Sequence, residues 1–177
     1  MATLTTRILY AAAVIALAVV SVPAQDSGKM KSASKVLQPA MSPDFTKPMG
    51  KIGDKPDQPF SATTIGASVD GKPNPATIKT VTGEIVDFSC YLEIGKHGDK
   101  HRACAQKCFQ NGQPIGLLTS DGSLYMLMEE EHDPRRDGMG MFRQAAVEHA
   151  GHVMEVTGTS SSVNGFNALF VTGFIRK

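Results

Sequence analysis

The chain predicts a mainly β domain, an OB-like five-stranded barrel with a Cys/His-bearing helix inserted between strands 1 and 2 and a second helix between strands 3 and 4. Three observations carry this expectation. Short apolar segments rich in Val, Ile, Leu and Tyr recur from residue 78 onward, separated by turn residues. Two helical patterns interrupt them, one after the first strand and one after the third. Without the first helix, the order is three strands, a helix and two strands, the order of a barrel that leaves no free sheet edge.

Composition places this domain behind two other segments. The chain has 177 residues, a formal net charge of +1 and a hydrophobic fraction of 41%. Arg7 precedes an apolar run, Ile8 to Val20, that is short for a bilayer span, and Val22-Pro23-Ala24 puts small residues ahead of Gln25. Residues 1–24 therefore read as a signal peptide cleaved after Ala24, which predicts a periplasmic or secreted protein that meets the membrane only through export. Between Gln25 and Thr77 lie seven of the ten prolines, with Ser, Lys, Gly and Asp among them and no apolar period. Such a segment buries too little surface to offset its conformational entropy, so 25–77 is expected to be a disordered tether. The folded domain is expected over 78–177, a usual size for one core.

The elements follow in order. Ile78 to Phe88 alternates as a first strand, with Gly83 suggesting a bend or bulge, and delivers Cys90. Asp99 is an expected N-cap for a helix to Gln110, which Asn111-Gly112 and Pro114 end. Residues 115–120 and 123–128 flank Asp121-Gly122, a hairpin signal. Met141 to Ala150 is the second helix, closed by Gly151. Residues 152–158 and 168–175 are the last two strands, joined by a Ser/Asn/Gly turn over 159–167.

All three cysteines fall in or beside the inserted helix. On a helix His101, Cys104 and Cys108 sit at i, i+3 and i+7, one face, with Cys90 arriving from the strand. Cys90, His101, Cys104 and Cys108 form a Cys3His set suited to Zn2+, or to a soft copper ion. Export equally permits a disulfide from Cys90 to Cys104 or Cys108, leaving one thiol, because three is an odd number. A thiol redox protein is a third reading, without an orienting third group that the sequence identifies. Met139-Gly140-Met141, with Met126, His132 and His149, offers thioether and imidazole ligands of a copper-handling kind, although such residues usually pack.

From Ile78 on there are ten Lys and Arg against twelve Asp and Glu, which opposes a phosphate-tracking groove. Nucleic acid is therefore not an expected partner; an unidentified protein or small ligand is. From Thr82 to Ile175 the chain resembles a group of small exported bacterial proteins with an OB-fold-like domain. The likeness rests on Gly83 to Cys90 (Gly-x-Ile-x-Asp-x-x-Cys), His101, Cys104-x3-Cys108 and Ala150 to Gly158. It implies a joint role for Asp87, Cys90, His101, Cys104 and Cys108, and no reaction. The expectation is an exported, non-enzymatic binding module whose Cys/His cluster holds zinc or copper, with a disulfide-stapled interaction module as the alternative.

Overall fold

Long alternating segments pair where their apolar faces meet, and here they close on themselves. The computed structural model describes residues 43–130 and 139–172. Strands β1 (Lys51–Ile52), β2 (Ala76–Asp87), β3 (Ile115–Leu118), β4 (Leu124–Glu129), β5 (Val153–Val163) and β6 (Phe166–Val171) form one sheet in the order β1-β5-β2-β3-β4-β6. A further β5–β6 pairing closes the last five into a barrel. β4 and β6 run parallel, and the other barrel pairs are antiparallel. Helix α4 (Met141–Glu148) lies between the third and fourth barrel strands, so the OB-like architecture expected from the sequence is the one observed. Among the described residues no helix is long and apolar enough to cross a membrane.

β2 is long because it serves two neighbours. Ala76 to Glu84 pair with β5 and Glu84 to Asp87 with β3, both in unbroken register. Gly83 is therefore no bulge; it lies where the strand passes from one partner to the other, and a Cβ there would press on Leu117 and the Leu118 carbonyl. Ile85, Leu117, Leu127, Met154, Val156 and Leu169 fill the barrel. Phe109, Phe142 and Ala146 belong to the same core, and Gln106 Nε2 ties the insertion to α4 through the Val147 carbonyl at 3.0 Å.

Two boundaries differ from expectation. β5 continues through Thr159, Ser160 and Ser161, all buried, to a tight turn at Asn164-Gly165, where both residues have positive φ. Their polarity reads as a turn in isolation, but Thr159 Oγ1 accepts the Phe60 N–H at 3.2 Å and Ser161 Oγ donates to the Pro75 carbonyl at 3.2 Å. The second difference supplies those partners: residues 43–75, expected within the tether, lie on the barrel. Met49 N–H donates to Val153 O at 2.8 Å, and β1 pairs in parallel with β5. Ile52 is 2% exposed, and Phe60 packs edge-on against Phe170 at 5.7 Å. Helix α1 (Ala62–Ala67) follows, capped by Ser61, whose own N–H donates to the buried Glu130 carboxylate at 2.6 Å. Two widely spaced side chains and a ladder of backbone bonds leave no periodic trace in the sequence, so the domain begins well before Ile78. The expected signal peptide, the rest of the tether and most of the 129–140 loop, including His132, lie outside the described residues.

This packing has a direct test. Ile52→Ala is expected to destabilise the domain by about 2–4 kcal/mol, as a buried Ile truncation does, measured by denaturant unfolding. A segment that merely tethers would show no change.

Candidate metal centre

The end of β2 becomes the start of a helix because Asp87 can cap one. α2 (Phe88–Ile94) begins directly after it, with Asp87 Oδ1 accepting the Cys90 N–H at 3.1 Å. Gly95 ends α2 in the left-handed conformation, a short loop follows, and a 3-10 turn over Asp99–His101 leads into α3 (Arg102–Gln110). The inserted element is thus two helices rather than one. Cys90 lies in the first turn of α2, not at a strand end, and Asp99 heads the 3-10 turn and pairs with Arg102 at 2.6 Å instead of capping a helix from 99.

Packing on the barrel decides which side chains of this region face inward. His101, Ala105 and Phe109 are buried, Cys108 is half-buried and Cys104 is exposed. The buried face of α3 centres on Ala105 and Phe109, one turn apart, which leaves Cys108 at its edge and Cys104 outside it. Of the four expected ligands, Cys90 and Cys108 come together. Their sulfurs and a carboxylate oxygen of Asp87 lie within 4.8 Å of one another. Cys104 remains close enough that a charge on it would act on both sulfurs. His101 lies within electrostatic reach of Asp87, and its Nε2 is buried without a hydrogen-bond partner.

Asp87 is the member that spacing alone passes over. Its signal was an Asp three residues before Cys90, a helix-capping pattern that here also sets a carboxylate beside two sulfurs. Asp87 is fully buried, and Oδ2 makes no hydrogen bond of ordinary geometry. Burial penalises its charge, but the Cys108 thiol, the Cys90 N–H and the Cys90 thiol outweigh that penalty and hold it below the usual carboxylate range. The same proximity acts on the sulfurs in reverse. The contact with Asp87 comes first, with burial behind it, and pushes the Cys108 thiol up to about 12; burial and then Asp87 raise Cys90. Without a cation both stay protonated at neutral pH and are poor nucleophiles. A buried carboxylate and two sulfurs facing one space form a mixed oxygen and sulfur donor set, and burial keeps His101 neutral, the ligating form of imidazole.

A second buried acid braces the insertion. Glu84, fully buried on β2, accepts the Gly98 N–H and pairs with His97 Nδ1 at 3.1 Å. The loop before α3 is thereby anchored to the barrel. Elsewhere, His149 faces His152 with ring centroids 5.8 Å apart.

Compared with protein-family models, with curated proteins and with solved structures, the chain has no significant match.

Glu84 also sets a pH dependence. Burial raises its pKa above the unfolded value, against the Gly98 and His97 contacts that lower it. In the window between the two values the native state holds the extra proton, so stability is fullest below the unfolded value and falls as pH rises toward the raised one. Glu84→Gln is expected to remove this part of the slope in denaturant unfolding from mildly acidic to neutral pH. An unchanged slope would show that Glu84 titrates alike in both states.

Proposed function

We propose that the protein is an exported, non-enzymatic OB-like module that holds a zinc or copper ion between the end of β2 and the inserted helices. The carrying observation is the convergence of Asp87, Cys90 and Cys108 within 4.8 Å, from a strand end and two separate helices. Only the two thiols face the buried Asp87 Oδ2, and a bound cation would take the place of their protons. In this reading His101 is the fourth ligand, through its unpartnered Nε2, and exposed Cys104 is a spare sulfur donor at the rim that exchanges with it. Two thiolates with a carboxylate and an imidazole match Zn2+; two thiolates without the carboxylate match Cu(I). The barrel supplies a rigid base, and the role is structural or metal-handling.

The same two sulfurs favour a second reading. Cys90 and Cys108 are neighbours across α2 and α3, so an oxidising compartment permits a disulfide that staples the insertion, contributing roughly 2–4 kcal/mol.

Native mass spectrometry of the full chain purified from its export compartment separates the two. The metal reading expects one Zn or Cu adduct that a chelator removes, and an affinity lowered about tenfold or more by Asp87→Asn, Cys90→Ser or Cys108→Ser. A chain lighter by two hydrogens, with no adduct and one titratable thiol, would overturn it in favour of the staple.

A further inference from the structure

The corner between α4 and β5 is tied to both the barrel and the insertion. Gly151 turns the chain with a φ of 73°; its N–H donates to the Ile85 carbonyl at 2.8 Å, and the Ile85 N–H donates to the His152 carbonyl at 2.9 Å. The Ala150 carbonyl accepts from Arg102 Nε of α3 at 3.0 Å. A Cβ on Gly151 would lie 3.1 Å from the Gly98 carbonyl, so the corner also lies close against the loop before α3.

Two histidines flank this corner. His149 ends α4 and His152 precedes β5, with ring centroids 5.8 Å apart and planes tilted by 54°. Both Nδ1 atoms are buried without a hydrogen-bond partner among the described residues. A neutral imidazole can leave one nitrogen unprotonated, whereas an imidazolium carries N–H on both and here would bury a donor that no acceptor meets. The charged and titratable groups that act on His152 are Arg102 on α3, His149 at the end of α4 and Asp99 on the 3-10 turn. Arg102 and a proton on His149 both oppose charging it. Asp99 favours charge, but it is exposed and already paired with Arg102 at 2.6 Å.

We propose that His149 and His152 form an acid-sensitive latch: neutral, they let the corner close on Ile85 and Arg102; protonated, they break those bonds and loosen the insertion from the barrel. Burial first, then Arg102 and His149, hold His152 below the ordinary range of a histidine, and opening the corner frees it to take up a proton. A histidine depressed in the folded state gives its full stabilisation above its unfolded value and loses it as pH falls toward the folded one. Glu84 acts in the opposite sense, since its raised value strengthens the native state as pH falls. Acid loosening at this corner is therefore not its effect. α3 carries Cys108, so the latch governs how firmly that sulfur is held, and the inference uses no bound metal.

Amide hydrogen exchange of the full chain by NMR, between about pH 7.5 and about pH 5 and corrected for the chemical rate at each pH, tests the latch. Protection of the Gly151 and Ile85 amides is expected to fall with pH, by up to about tenfold per pH unit, while the β3–β4 ladder keeps its protection. His152→Gln, neutral throughout this range, should abolish the pH dependence at both amides, and His149→Gln should reduce it. The ring signal of His152 in the unsubstituted chain gives a reading that needs no variant: its titration midpoint should lie below that of the same residue in the urea-unfolded chain. Four results would each overturn the proposal: constant protection at Gly151 and Ile85, an equal loss in the β3–β4 ladder, an undiminished slope in a folded His152→Gln chain, or equal midpoints in folded and unfolded chains.

Discussion

The carboxylate of Asp87 is the joint on which the inserted region turns. One oxygen caps α2 through the Cys90 N–H, so the same contact that ends β2 starts the helix and fixes Cys90 in its first turn. The other oxygen is buried, lacks a hydrogen-bond partner and faces the sulfurs of Cys90 and Cys108. A buried charge of this kind persists only where its surroundings repay desolvation. Here the repayment comes from a backbone N–H and two thiols, which is why fold and site cannot be separated at this point.

The barrel makes that joint rigid. β2 is gripped on one side by β5 and on the other by β3, and both ladders include Glu84, three residues before Asp87. Glu84 holds Gly98 and His97, while Arg102 Nε reaches the Ala150 carbonyl at 3.0 Å and Gln106 reaches α4. The insertion is therefore pinned at its loop, its first helical turn and its middle. Ligands on separate helices keep their spacing only under such bracing, since a loose second layer lets a metal centre drift. From the other end of α3, Gln113 and Pro114 connect this region to the cleft between β4 and the start of α4. Gln113 bonds Ser89 beside the cysteine cluster and lends its carbonyl to Arg143, and Pro114 lines the cleft.

Much of the barrel was legible because its signals are local. Asp121-Gly122 lies in the β3–β4 turn, α4 begins at Met141 as its pattern predicts, and the strand order follows from segment order once the insertion is set aside. Legibility failed where a partner distant in sequence supplies the reason for a conformation. Thr159 to Ser161 look like a turn until the 60–75 region satisfies their hydroxyls. Ile52 and Phe60 look like strays in a proline-rich stretch until β5 and Phe170 receive them. In the site, Cys90 and Cys108 were legible as partners. Asp87 was named only through the resemblance, because its place depends on a strand-to-helix junction, and the exposure of Cys104 was not legible, because packing decides which edge of α3 meets the barrel.

By itself the sequence determined the fold class, the presence of an insertion and the gathering of every cysteine within it, since periodicity, turn chemistry and residue identity are properties of neighbouring positions. Tertiary structure decided which donors share a space. It replaced an expected face of one helix by a strand end and two helices, put the Asp87 carboxylate beside the sulfurs of Cys90 and Cys108, and left Cys104 exposed. The physical reason is that ligation depends on distances of a few ångströms between elements, and those are set by sheet register and by buried carboxylates such as Glu84 and Asp87 that no local pattern encodes.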